Sequence, residues 1–321
     1  MAARSHAPAA AVPHPAGRDA AAPPPDAANR GPALAAALLT VCLWASAFVG
    51  IRSAGHALSP GALALGRLLV STTLLSAVAL ARGERLPARR DLVPIAVYGV
   101  LWLAIYSVTL NAAERRVDAG TAAMLVNTGP ILIAIFAGLV LREGFPPALF
   151  AGCAVAFAGC VVIGVATTSS EQRATLGIVL CVVAALAYSL AVVVQKAGLA
   201  RVSPFQMTWL GCVVATVACL PFAPSLADGA AHAGVGALAW TVYLGAVPTA
   251  LGFATWTFAL PRTRAGRLGS LTYVAPVVAI ALGWVVLGER PPWLAVGGGA
   301  LCLAGVLVAS RRSLRPLLRR T

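Results

Sequence analysis

Arg67, in the stretch ALALGRLLVSTT, is the one charged side chain set well inside an apolar run of this 321-residue sequence. A guanidinium keeps its charge at any working pH and offers five donors in a flat fork, which suits it to gripping a carboxylate or a phosphate. The same side chain can instead bond helix carbonyls and serve structure alone. A charge at that depth costs on the order of 2.5–3.5 kcal/mol on insertion scales, so it needs a partner or a wet cavity. Aromatic and polar groups recur in the neighbouring runs. Tyr98, Trp102 and Tyr106 fall every four residues and so share one helix face. Trp44, Ser46, Asn127, Tyr188, Thr255, Trp256 and Tyr273 complete a candidate lining for a small polar solute. Any single one of them reads first as a helix–helix hydrogen bond or interface anchor, and only the set as a lining. Pro130 and Pro276 sit inside apolar runs, where a missing N–H should kink a helix and could mark a gate.

Other chemistry finds no residues. None of the ten Asp and Glu residues and none of the four His lies deep in an apolar run, so neither a carboxylate proton relay nor a catalytic base is in view. The sequence has no G-x-x-x-x-G-K-[ST] phosphate loop and no G-x-S-x-G nucleophile turn. The seven cysteines sit in apolar runs without a C-x-x-C and read as small packing residues. An enzyme is therefore not expected, and neither a metal nor another cofactor is called for.

The elements that must position Arg67 follow from composition. Hydrophobic residues make up 60% of the chain and charged residues 11%. A soluble domain has about 45–50% and about 25%. Apolar runs of membrane-crossing length occupy 33–51, 60–80, 92–110, 119–141, 147–166, 175–195, 205–222, 235–260, 267–287 and 292–310. Residues 1–32 are Ala- and Pro-rich and read as a disordered tail, and residues 311–321 as a short basic tail. The expected fold class is an all-α polytopic membrane protein of ten transmembrane helices. The net charge of +14 does not point to nucleic acid, because the basic residues collect in connectors and tails.

The chain writes one pattern twice. LVLREGFPPALFAGCAVAFAGCVVIG at 139–164 returns as VVLGERPPWLAVGGGALCLAGVLVAS at 285–310. At an offset of 146 residues Pro130 answers Pro276, Glu143 answers Glu289, Gly152 answers Gly298 and Gly159 answers Gly305. Nearer the start of each copy, Ser-Pro at 59–60 answers Ser-Pro at 203–204. Such an offset holds five helix-plus-loop units, an odd number, so the second copy enters the membrane from the opposite face. The halves, 33–166 and 175–310, form an inverted repeat. Glu143 and Glu289, each beside an arginine, read as solvated pairs at helix ends. The small-residue runs after them can pack the bundle or form the face of a homodimer.

Charge sets the orientation. With the N-terminus cytoplasmic, 18 basic residues fall inside, five fall outside and Arg67 lies within a span. The positive-inside rule thus places both termini in the cytoplasm.

The Pro-then-Glu spacing, the Gly-rich run after each Glu and the duplication resemble the EamA type of the drug/metabolite transporter superfamily, over about residues 33–310. The resemblance implies a cell-membrane carrier with a central cavity between its halves and alternating access, secondary or facilitative, that exports a small polar metabolite such as an amino acid or a derivative. It implies a small-molecule substrate and a lipid bilayer as partners and leaves the substrate unnamed. A membrane scaffold or regulator without transport is the alternative.

Overall fold

The computed structural model describes residues 27–55, 57–113, 115–116, 125–167, 175–287 and 292–318. The expected tail before residue 27, and Glu114, Asp118, Glu289 and Arg290, lie outside the described residues. Among the described residues every regular element is helical. In chain order these are α1 (Ala27–Ala54), α2 (Pro60–Ala81), α3 (Arg89–Ala113), α4 (Gly129–Val140), α5 (Pro147–Thr167), α6 (Thr175–Gly198), α7 (Pro204–His232), α8 (Val235–Arg262), α9 (Ala265–Leu271), α10 (Ala275–Leu287) and α11 (Trp293–Leu318).

Five of them, α2, α3, α6, α7 and α8, are long and apolar enough to cross a membrane. The apolar portions of α1, α4, α5 and α11 are shorter. Two of the helices begin at side-chain caps that the sequence supplies. Ser59 accepts from the Ala62 N–H (3.3 Å) ahead of Pro60 at the start of α2. Ser203 accepts from the Gln206 N–H (3.1 Å), while Gln206 Oε1 accepts from the Ser203 N–H (3.3 Å), a reciprocal box ahead of Pro204 in α7. The two Ser-Pro dipeptides are thus equivalent N-caps, with proline at the one position where its missing N–H leaves no gap. Outward faces carry Leu80, Leu139, Val165 and Val242, each more than half exposed. A soluble helix would put polar groups there, so these faces are built for lipid.

Two helices depart from α geometry at matching places. Gly99–Tyr106 in α3 and Gly245–Leu251 in α8 are π-helical, 146 residues apart. In α8 the cause is local. Pro248 has no N–H to return to Leu244, and the Thr249 hydroxyl donates to the Leu244 carbonyl instead (2.6 Å). Each π segment opens with a glycine pressed against a neighbouring backbone. A Cβ on Gly99 would lie 2.6 Å from the Gly211 carbonyl oxygen, and one on Gly245 2.6 Å from that of Arg67. The helix crossing is therefore repeated even though its residues differ. Where α2 carries Arg67, α7 carries Gly211, and the Tyr98 ring fills the space beside it.

The prolines expected to kink α4 and α10 sit in the first turn of each helix instead. Asn127 and Thr128 form a turn, and α4 starts at Gly129. A 3-10 turn at Thr272–Val274 likewise precedes Pro276. Before Pro130 the helix restarts after a turn, so no carbonyl there waits for the proline N–H, whereas the run before Pro276 stays helical and tightens through the 3-10 turn.

The repeated Gly-rich runs meet each other. A Cβ on Gly159 would lie 2.6 Å from the Gly298 oxygen, and one on Gly305 2.6 Å from the Gly152 oxygen. So α5 and α11 pack backbone on backbone, with Cys160 Sγ and Cys302 Sγ in contact at 3.6 Å between them. Gly152, Gly159, Gly298 and Gly305 are thus used for packing within the chain.

Candidate functional site

At the centre of the bundle the aromatic side chains of α1, α3, α6 and α8 converge. The Trp44 ring lies 5.6 Å from Trp102, 5.2 Å from Phe253 and 5.1 Å from Trp256. Trp102 lies 5.0 Å from Phe253, 5.5 Å from Trp256 and 5.4 Å from Tyr188, and Tyr188 lies 5.7 Å from Tyr106. Most of these pairs are tilted or edge-to-face, the favourable arrangements for such rings. Trp102 and Trp256 are buried, whereas Trp44 and Tyr106 keep part of their surface open. Trp44, Trp102, Tyr106, Tyr188 and Trp256, named from sequence, thus form one cluster. Phe253 belongs to it and was missed. Its only signal is the three-residue spacing from Trp256.

A buried polar layer backs the cluster. Gln195, fully buried in α6, accepts from Trp256 Nε1 (3.2 Å) and donates to the Thr257 hydroxyl (2.9 Å). The Thr208 hydroxyl donates to Thr257 Oγ1 (3.0 Å). Every polar atom of the Gln195 side-chain head therefore has a use, as a membrane interior requires. The π segment of α8 supplies the other wall. Its Pro248 carbonyl accepts from Trp44 Nε1 (3.2 Å), and Thr249 Oγ1 accepts from Arg67 Nε (2.9 Å). Trp44 and half-buried Arg67 are hence anchored on adjacent residues of one irregular turn.

Tyr188 depends on the break in α4. A Cβ on Gly129 would lie 2.0 Å from the Tyr188 ring, so glycine just before Pro130 is what lets the ring lie there. Ser189 Oγ donates to the Gly129 carbonyl (3.2 Å), tying α6 to the same break. Asn127 is half-buried in the turn before it.

Three other candidates lie elsewhere. Ser46 Oγ bonds Tyr243 Oη (2.7 Å), joining α1 to α8. Thr255 Oγ1 bonds Thr40 Oγ1 (2.7 Å) between the same helices. Tyr273 is fully buried in a separate core with Cys153, Cys160 and Cys302. Glu143, read as a solvated partner of Arg142, is mostly buried and holds Lys196 Nζ at 2.5 Å. The left-handed backbone of Arg142 (φ 52°) turns the carboxylate back toward the bundle, which residue spacing does not reveal. Among the described residues no group of His, Cys, Asp and Glu could hold a metal ion.

A duplicated all-helical bundle with lipid-facing flanks and a cation beside an aromatic centre defines a multi-pass membrane protein of the transporter class. The pattern of the EamA-like transporter family matches residues 31–165 and again residues 175–311. The chain belongs to this family. It is 38% identical over 279 residues to a protein of Streptantibioticus cattleyicolor named "Probable terminal-alkyne amino-acid exporter", covering 87% of this chain and 93% of that one. It is 27% identical over 298 residues to the "Aromatic amino acid exporter YddG" of Ancylobacter novellus, covering 91% and 99%. A solved crystal structure superposes with a TM-score of 0.71 at 25% identity, covering 88% of this chain and 98% of its own.

Proposed function

We infer that the protein is a secondary or facilitative exporter of a small zwitterionic metabolite, an amino acid or a derivative, working by alternating access between two inverted five-helix halves, 33–166 and 175–310. One observation carries the reading. Arg67 and Trp44 are anchored on adjacent residues of the α8 π segment, and this shared anchor supports a site that combines a cation with an aromatic wall. A guanidinium holds a carboxylate by charge-assisted hydrogen bonds. The aromatic faces take an apolar side chain by contact, or an ammonium group by cation–π attraction. The names of the relatives, exporters of amino acids, support the same substrate class. The excess of basic residues in alternate connectors supports cytoplasmic termini, which orients the Lys196 end of α6 inward.

Counterflow uptake into liposomes holding the purified protein tests this, across amino acids, organic acids and cationic drugs. Saturable exchange confined to amino acids is the expected result. Silence across the panel from folded protein would contradict it and favour a scaffold without transport.

A further inference from the structure

The two halves are tied together at one end of the bundle by a compact polar knot. Glu143, in the turn after α4, belongs to the first matched stretch, whereas Lys196, Thr263 and Ala265 belong to the second. Glu143 Oε1 accepts from Lys196 Nζ (2.5 Å) and from the Ala265 N–H at the start of α9 (3.1 Å). Lys196 also donates to the Thr263 carbonyl, in the turn between α8 and α9. The ends of α4, α6 and α8 and the start of α9 therefore meet on one carboxylate and one ammonium. Both side chains are mostly buried, at 14% and 18% exposure. Removing either partner would leave the other charge short of its contacts, and that penalty is large for partly desolvated groups.

Three features separate this knot from the packing around it. First, the left-handed Arg142 backbone that aims Glu143 inward is strained for a residue with a side chain, and strain of that kind persists where something holds it. Second, a recess bordered by Glu143, Arg264 and Arg267 opens beside the pair, so water can reach it when it parts. Third, the sequence repeats its charges. Lys196 corresponds to Arg52 at an offset of 144 residues, the offset of the two Ser-Pro caps, and Glu143 corresponds to Glu289 at 146. The neighbouring ion pair between the halves, Asp91 with Arg201 at 2.6 Å, has Ala237 and Ala57 at those offsets and is not repeated. Elsewhere the halves also meet through aromatic rings, close-packed glycines and hydrogen bonds such as Ser46 with Tyr243 and Thr40 with Thr255, in which neither partner is charged.

We propose that the Glu143–Lys196 knot is the gate at this end of the bundle, closed in the present structure and opened when the carrier turns its site toward that side. The proposal rests on the transport reading above. Parting the pair frees α6 and the α8–α9 turn from the end of α4, which is the movement access from that side needs. Re-forming it returns the protein to the state described here.

Thiol labelling in proteoliposomes reads the gate without any substrate. One reporter is Ala259→Cys, at a fully buried position of α8 one turn from the knot. The other is Val108→Cys in α3, 17 residues along from Asp91 and so toward the far end, about 25 Å away at helical rise. Labelling by a membrane-impermeant maleimide is measured against the parent protein with its native cysteines alone. Glu143→Gln and Lys196→Met should each speed labelling at 259 about tenfold while slowing it at 108, because opening one end of an alternating carrier closes the other. Lys196→Arg, which keeps both donations, should stay near the parent. Unchanged labelling at 259 in Gln and Met variants overturns the gate, and so does faster labelling at both ends, which is loosening rather than gating. An inactive protein in the counterflow assay with reciprocal labelling intact would sink the substrate reading and leave the gate standing.

Discussion

Arg67 Nε donates to Thr249 Oγ1 across 2.9 Å, and the same hydroxyl donates onward to the Leu244 carbonyl that Pro248 cannot serve. The defect in α8 made by one proline thus fixes the direction of the one cation set deep in a span. Removing the hydroxyl should take away this one hold on the guanidinium without removing its charge. Thr249→Val is expected to raise the transport KM for an amino acid by about tenfold, the weight of a hydrogen bond to a charged group. Thr249→Ser should restore most of it. Initial-rate counterflow across a concentration series makes the comparison.

Trp44 bridges the aromatic cluster and the π segment. Trp44→Phe keeps a ring against Trp102 and Trp256 but loses the hydrogen bond to Pro248. The loss should weaken binding by about three- to tenfold, in line with a net 0.5–1.5 kcal/mol for a neutral hydrogen bond. The shift should appear for substrates with apolar side chains, measured as competition against a labelled substrate.

Gln195 should matter for stability before it matters for transport. Gln195→Leu strands Trp256 Nε1 in a buried setting and takes away the donor to Thr257. An unsatisfied buried group costs about 1–3 kcal/mol. A lowered thermal midpoint, followed by tryptophan fluorescence in detergent, is the expected outcome, and an unchanged midpoint would show that the layer is dispensable.

The α5–α11 seam tolerates no added volume. Gly305→Val would drive side-chain atoms into the Ala156 backbone, whose nitrogen lies 2.3 Å from the position of a Cβ. Overpacking of this kind costs about 1–3 kcal/mol or more. By contrast, Cys302→Ala should cost less, because the pair it breaks is a soft contact between thiols. Expression yield and the monodispersity of the purified variants separate the two outcomes.

Much of this architecture is legible in the sequence because it is written in strong, repeated signals. The offset of 146 residues, the repeated Ser-Pro dipeptides and the long apolar runs need no tertiary information. The site is less legible. Trp44, Trp102, Tyr188 and Trp256 stand out by type, yet Ser46 and Tyr273 stand out equally and lie outside that ring cluster, Ser46 on Tyr243 and Tyr273 among Cys153, Cys160 and Cys302. Phe253 and Gln195 are missed because an extra Phe in an apolar run is unremarkable, and a lone amide shows its value only when Trp256 and Thr257 are seen around it. The π segments leave no periodic trace, since one extra residue per turn changes no composition. Glu143 is misread for a related reason. Its neighbour in sequence is Arg142, but a left-handed turn sends it to Lys196, 53 residues away.

A carboxylate held by Arg67 should make an amino acid a far better substrate than its uncharged-carboxyl derivative. Counterflow of an apolar amino acid is measured against that of its methyl ester, in the parent protein and in Arg67→Ala. The expected result is saturable exchange of the acid by the parent, at least about tenfold preferred over the ester, and no such preference in Arg67→Ala. A well-folded Arg67→Ala protein that carries the acid at the parent's rate and with the parent's preference would contradict it.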